Sequence, residues 1–361
     1  MTQRRIAVIG GGIIGLSTAW RLHQRGDRVT VWDAGRLGDG ASGVAAGMLA
    51  PLCEAEELPA DTHAMAVQSA RRWPAFAREL EAGSRRTIGF RTGGTLLIAA
   101  DADEWTALQH HAATLAREGL RYEPLTVRAL RQREPALHPR LAGGFAAPDD
   151  HQVDAQAAVE ALVAALTSAG VEVRPHVAIG RIEPDDRAVT LIDPDGAELG
   201  TYEGVVLATG AAARHLAPEL CPEPIVPVQG QVVVLQGETL LDHVVRTPRV
   251  YVVPRDEGRL VIGATMEERG HDRTPRVRPV LHLLREATRV VPAIEELAIV
   301  ALRCGLRPMF SDGRPRVGAT CHPRIALAVG HHRHGVLLAP ETAHRLACTW
   351  HPEAEAATPT G

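Results

Sequence analysis

Residues 4–10 contain four consecutive apolar positions, Ile6, Ala7, Val8 and Ile9, a run that suits a short strand buried on both faces. Over residues 13–26 the apolar positions recur at helical spacing and stop at Gly26, which predicts a helix, and residues 28–33 predict a second strand. The chain therefore opens with a βαβ unit. Residues 35–51 are rich in Gly, Ala and Ser and almost free of periodicity, as expected for a long loop lying against a ligand. Helical spacing returns over 62–82 and over 101–134, with strand-like runs across 88–99, around Gly93 and Gly94. An amphipathic helix is predicted over 154–168, ended by Gly170, and strands over 171–174, 190–192 and 204–208 restore the βα character.

From residue 225 the pattern changes. Short strands at 232–235, 250–253 and 259–263 alternate with turn residues, which predicts an antiparallel sheet and with it a second domain. Helical signal is read over 280–290 and 299–305, and a strand-like run at 325–329 passes through a glycine turn into 336–349. The Ala- and Pro-rich stretch after Trp350 reads as a frayed tail. No repeat or low-complexity linker separates the two kinds of structure, so the domains are expected to interleave in sequence.

Composition narrows the chemistry. A chain of 361 residues can bury two cores, and its 39 basic against 43 acidic residues show no bias toward nucleic acid or an anionic membrane. It has no lysine and no asparagine, so every basic residue counted there is arginine. A pyridoxal Schiff base and a Walker-type phosphate loop both need Lys, so both classes are excluded. The cysteines Cys53, Cys221, Cys304, Cys321 and Cys348 form no CxxC pair, which predicts neither a zinc site nor a disulfide framework and fits a reducing cytoplasm. His331, His332 and His334 are too close in sequence to converge on one ion, so no metal is expected, and the His110–His111 pair reads as solvated. The apolar residues behind Arg4 and Arg5 have the outline of an export signal, but their glycines belong to a turn that cleavage would destroy. No other stretch approaches the ~20 apolar residues of a membrane span.

That turn is Gly10-Gly11-Gly12-Ile13-Ile14-Gly15, a GxGxxG between strand and helix. Gly10 allows the tight turn, Gly12 lets the backbone approach a pyrophosphate, Gly15 permits close helix packing, and the helix N-terminus attracts the anion. Asp33, at the end of the second strand, is placed to accept from a ribose hydroxyl, and an acid there disfavours a 2′-phosphate. FAD and NAD both remain open on these residues alone.

The next segment separates them. Residues 40–51 read GASGVAAGMLAP, which resembles the GAS…AAGMLAP segment of the bacterial glycine oxidases of thiazole synthesis, a branch of the D-amino-acid oxidase family of FAD-dependent oxidoreductases. Residues 205–210 (VVLATG), 250–255 (VYVVPR), 261–267 (VIGATME), 305–308 (GLRP) and 330–340 (GHHRHGVLLAP) resemble further motifs of that family in the same order, so the likeness covers nearly the whole chain.

The resemblance implies an α/β fold in which a Rossmann-like FAD-binding domain (1–85, 150–222, 305–361) interleaves with a substrate domain on a largely antiparallel sheet (86–149, 223–304). By the same resemblance, Arg307 pairs with the substrate carboxylate, Tyr251 supports it, Met266 lines the small pocket, and Arg333 lies beside the flavin. Non-covalent FAD would be held by Gly10, Gly12, Ile13, Ile14, Gly15, Asp33, Ala34, Ala41, Ser42, Ala46, Gly47, Met48, Ile179, Thr209, Gly210, and by His331, His332, Arg333, His334, Gly335, Val336 and Leu337. The implied reaction is oxidative deamination of glycine or a small amine such as sarcosine or D-alanine. The amine is bound neutral, a hydride passes to flavin N5, and the imine yields glyoxylate and ammonia while oxygen is reduced to peroxide. A homotetramer and a role in thiamine synthesis are family implications too. Where the family often has Asn this chain has His334. A covalent flavin would need a correctly placed Cys; Cys304, one residue before the GLRP motif, reads as a core thiol, and the Lys that sarcosine oxidases use toward oxygen is missing. Alternatives are a D-amino-acid oxidase or dehydrogenase or a sarcosine-type oxidase of the same fold, an NAD dehydrogenase, and a non-catalytic flavoprotein.

Overall fold

A computed structural model describes residues 3–55, 58–117 and 122–351. Its first layer is a six-stranded sheet in the order Arg316–Ala319, Ile325–Val329, Gly204–Leu207, Arg5–Ile9, Arg28–Trp32 and Glu172–Arg174, parallel throughout except for the Arg316–Ala319 edge. Arg5–Ile9 lies at the centre, pairing Ile6 with Gly204 on one side and with Val29 on the other. Both faces of this strand are covered, which explains its unbroken apolar run. Ile6 and Val8 pack under the helices Ile13–Gln24, Ala60–Ser84, Ala155–Ser168 and Gly335–Trp350. Ala7 and Ile9 face a three-stranded antiparallel sheet of Arg181–Pro184, Val189–Ile192 and Glu198–Tyr202, through Val189, Leu191 and Tyr202. The Asp154 carboxylate caps the Ala155–Ser168 helix by accepting from the N–H groups of Gln156 and Ala157.

The second body is a nine-stranded sheet in which Val226–Gln236 pairs antiparallel with Arg259–Gly263, Glu267–Glu268 and the long Ala298–Met309 strand. Only Val244–Arg246 against Thr95–Ala99 is parallel among its pairs. The amphipathic helix Val277–Val290 seals this sheet by burying Leu283, Ala287 and Val290 against Val233, Leu235 and Ile262. The two sheets draw on interleaved stretches of chain.

Several elements differ from the reading of the sequence. Residues 299–305, read as helical, lie inside the Ala298–Met309 strand, which also crosses position 305. Leu302 and Leu306 mimic a helical spacing, but pairing along the whole of Val226–Gln236 outweighs local preference. Residues 101–134 are not one helix: Ala102–Arg117 is followed by the strand Glu123–Leu125, and a new helix, Val127–Arg133, starts where Thr126 Oγ1 accepts from the Ala129 N–H. Pro124 is the breaker visible in the sequence. Of residues 88–99 only Thr95–Ala99 forms a strand, and the strands at 143–147, 181–184 and 198–202 had no sequence signal strong enough to find them. His111 is buried, 3.1 Å from the Tyr122 hydroxyl, because its helix face packs on the sheet, whereas His110 is solvated. The tail read as frayed lies, from residue 352 onward, outside the described residues.

Candidate active site

A cavity of about 880 Å³ opens between the C-terminal ends of the parallel strands, at Gly10, Asp33, Ala208 and Val329, and the face of the nine-stranded sheet, at Gly230, Tyr251, Gly263 and Arg307. Ligands of open α/β sheets occupy this position.

At the strand ends the wall is main chain. Gly10 has φ +116°, and a Cβ there would sit 2.3 Å from the Ala208 carbonyl oxygen. At Gly15 a Cβ would come within 1.9 Å of the Gly10 carbonyl, so only glycine lets helix and turn close. The helix begins at Ile13 without a side chain on its Gly12 cap, and Ser42 Oγ accepts the Ile13 N–H at 3.0 Å. Asp33 accepts from the N–H groups of Gly11 (2.6 Å) and Gly35 (2.7 Å), which ties its carboxylate to the turn. Gly12, Ile13, Ile14, Asp33, Ala34, Ala41, Ser42, Ala46, Gly47, Met48, Ile179, Thr209 and Gly210 all line the cavity. Thr209 Oγ1 and His332 Nε2 are buried in this wall without a hydrogen-bond partner. A cradle of small residues at a helix N-terminus, an acid at the end of the second strand and buried polar atoms with no partner among the described residues suit a dinucleotide such as FAD. Arg255 braces the cradle: its guanidinium, buried between the sheets, donates to the carbonyls of Ala46 and Val153 and to Gln152.

At the sheet face the wall is made of charged and phenolic side chains. The Arg307 guanidinium lies flat on Gly230, where a Cβ would meet it at 2.3 Å, and its Nη1 donates to the Thr265 carbonyl at 2.9 Å. The Tyr251 ring lies likewise on Gly263. Burial lowers the Arg307 pKa and raises that of Tyr251, so the phenol keeps its proton and can donate. Glu54 accepts from Arg246 (2.8 Å) and Arg333 (2.9 Å), and its second oxygen is 2.9 Å from His334 Nδ1. Burial alone would push this carboxyl up; the two arginines and His334 outweigh it and hold it well below the usual carboxylate range. Met266 also lines the cavity but is 62% exposed, which puts it at the mouth.

The three loop histidines diverge. His331 meets Thr342 Oγ1 at 2.9 Å, His332 faces the cavity, and His334 turns to Glu54; burial depresses the first two to about 3, so they are neutral imidazoles. Among the described residues no group of three or more His, Cys, Asp or Glu could hold a metal ion. His331, Arg333, Gly335 and Val336 line the cavity, whereas Gly15, His334 and Leu337 stand behind its wall. Cys304 is a free, buried thiol that does not line it. Glu54, Arg246 and Gly230 escaped the reading of the sequence, whereas Gly263 lies within the VIGATME motif and Glu54 follows the AAGMLAP motif closely.

The sequence profile described as "DAO: FAD dependent oxidoreductase" matches residues 5–349. The chain is 34% identical to the glycine oxidase of Geobacillus kaustophilus over 95% of this chain and 92% of that one. It is 33% identical to the bifunctional protein ThiO/ThiG of Synechocystis over 95% of this chain, and spans 51% of that longer protein. The crystal structure of the Geobacillus kaustophilus glycine oxidase superimposes with a TM-score of 0.87 at 32% identity, covering 97% of this chain and 95% of that one. The chain belongs to the DAO family of FAD-dependent oxidoreductases, with FAD as its cofactor.

Proposed function

We propose that this protein oxidises glycine, or an amine of similar size, to the corresponding imine, which hydrolyses to glyoxylate and ammonia while oxygen is reduced to hydrogen peroxide. The observation that carries the reading is the pairing of Arg307 and Tyr251 in the cavity, each laid on a glycine and opposite the nucleotide cradle. Bound FAD supplies the acceptor for the two electrons that leave with the substrate Cα–H. Arg307 offers two parallel charge-assisted bonds to a carboxylate, which fixes its position and its rotation. Tyr251 donates a third. With the carboxylate anchored, the Cα–H is directed toward the cradle, and the apolar wall at Val44, Val232 and Leu306 excludes water.

Three groups in the wall that could take a proton are held back. His331 and His332 are neutral but buried with pKa values near 3, and the Glu54 carboxylate is engaged by two arginines. A substrate that arrives as the neutral amine needs no base at Cα, which favours departure of the hydrogen with its electron pair. We extend the proposal to the division into FAD-binding and substrate-binding domains given above, to a non-covalent flavin, to a tetramer, and to supply of thiamine synthesis, the last two resting on resemblance.

The visible spectrum of the purified protein before and after anaerobic glycine tests the reading. Flavin bands that bleach and return in air with peroxide support it. Bleaching by D-alanine or sarcosine but not glycine replaces the substrate, and flavin that no small amine bleaches overturns the enzymatic reading.

A further inference from the structure

The short strand Met48–Leu49 pairs antiparallel with His151–Gln152, and the ladder continues by one bond, from the Val153 N–H to the Gly47 carbonyl at 2.9 Å. In an ordinary ladder the Gly47 N–H would return the bond to the Val153 carbonyl. Here Gly47 has φ +72°, and its N–H meets no acceptor among the described residues. Arg255 takes its place: Nη2 donates to the Val153 carbonyl at 3.0 Å and also to the Ala46 carbonyl. A Cβ on Gly47 would lie 1.9 Å from the Val153 oxygen and 3.1 Å from that Nη2, so only glycine allows the arrangement. The guanidinium is held in turn by Gln152 Oε1, by the Pro254 carbonyl at 3.2 Å and by the Asp154 carboxylate, 3.7 Å from Nε.

Residues 46 and 47 are joined by a trans peptide, in which C=O and N–H point opposite ways. The Ala46 carbonyl points to Arg255, which stands behind the cavity wall, so the Gly47 N–H points away from it, toward the cavity that Ala46, Gly47 and Met48 line. Ala46 and Met48 pack with Val232, Tyr251 and Ala264, which puts this N–H at the substrate end of the cavity rather than at Asp33. We infer that Arg255 is a positioning residue: it orients the 46–47 peptide so that the Gly47 N–H faces the flavin ring and stabilises the negative charge the ring gains on reduction. The inference rests on the substrate-binding role proposed for Arg307 and Tyr251, because the ring must lie beside the substrate. A donor held rigidly where charge develops stabilises it at no cost of reorientation, whereas a peptide free to turn does not. Lys cannot replace the fork, since a single ammonium does not serve two carbonyls and an amide in one plane.

The test measures the two-electron midpoint potential of the bound flavin, with no amine present, in the flavin-loaded protein and in Arg255→Gln and Arg255→Lys. Both variants are expected to disfavour the reduced flavin about tenfold, the scale of one hydrogen bond to a charged group, which is a fall of about 30 mV for a two-electron couple. Unchanged potentials with a lowered melting temperature would make Arg255 structural only, and a fall confined to Arg255→Gln would make its charge rather than its fork the cause. Either result overturns the inference and leaves the Arg307 reading intact. Potentials that fall as expected in a protein whose flavin glycine does not bleach would overturn the substrate reading alone. If neither variant folds with its flavin, hydrogen exchange at the Gly47 amide of the unsubstituted flavin-loaded protein decides. Exchange about tenfold slower with the flavin reduced than oxidised supports the inference, and equal exchange overturns it.

Discussion

At one end of the cavity the ligand meets main-chain N–H groups and glycines; at the other it meets guanidinium, phenol and carboxylate. Twenty-two positions separate Gly11 from the Asp33 that receives its N–H, whereas 279 separate Glu54 from Arg333. A site made of backbone is specified by what must be missing, namely Cβ atoms, and so is damaged by additions. A site made of side chains is specified by what must be present, and is damaged by deletions. The two ends should therefore fail independently, and the largest expected effect is at the side-chain end. Arg307→Ala should lower kcat/KM for glycine about 10³-fold, toward the upper part of the range for truncating one partner of a desolvated charge pair. The variant should purify with its flavin spectrum intact, since the hydrogen bond of the lost guanidinium goes to Thr265 on the sheet side. Loss of flavin together with activity would show that the ends are coupled.

The opposite failure is expected from Gly15→Ala. Its Cβ would lie 1.9 Å from the Gly10 carbonyl oxygen, a backbone atom that cannot rotate away. Helix and turn must separate, at a cost of about 1–3 kcal/mol, the range for overpacking. Flavin released on dialysis, with a lower melting temperature, is the expected readout. Gly230→Ala sharpens the contrast, because there the Cβ meets the flexible end of Arg307 at 2.3 Å. That side chain can move, so the fold and the flavin should survive while KM for glycine rises about tenfold, the value of one charge-assisted hydrogen bond. Equal loss of flavin in both glycine variants would erase the distinction.

The same contrast explains how much of the molecule was legible in the sequence. The βαβ unit and its turn are local: apolar run, glycine spacing, helix periodicity and terminal acid all lie within the first 33 residues, and each has a physical reason to be where it is. The Ala155–Ser168 helix was legible for the same reason, since Asp154 caps it where the sequence places it. At the sheet end Tyr251 and Arg307 were found only because their flanking motifs resemble a family, and neither residue alone distinguishes a ligand site from an ion pair. Glu54 was missed because its partners, Arg246 and Arg333, lie on remote strands and loops and no periodicity links them. The Ala298–Met309 strand was misread for a related reason. Its identity comes from pairing with Val226–Gln236, a contact that local propensity does not record.

Asp150, which accepts from the Leu52 and Cys53 N–H groups behind Glu54, gives the smallest effect, one that depends on pH. Burial pushes its carboxyl up to about 7, against the lowering from the Cys53 side chain and the N–H groups of Leu52 and Cys53. The unfolded chain releases the same proton near pH 3.9, so between these values the folded state binds more protons than the unfolded one. Stability due to protonated Asp150 is therefore complete below about pH 4 and is lost as the pH rises through 7, with a slope of at most about 1.4 kcal/mol per pH unit. Asp150→Asn cannot titrate, and its amide serves only one of the two N–H donors well. The variant should be less stable throughout, but the gap in melting temperature from the unsubstituted protein should be widest at pH 5 and narrow steadily toward pH 8. A gap that stays constant would mean that Asp150 is already ionised at pH 5 and clamps the Glu54 loop as a charged acceptor. The carboxylate end would then rest on a chain of ionised groups rather than on a protonated hinge, and its affinity for substrate should not follow this titration.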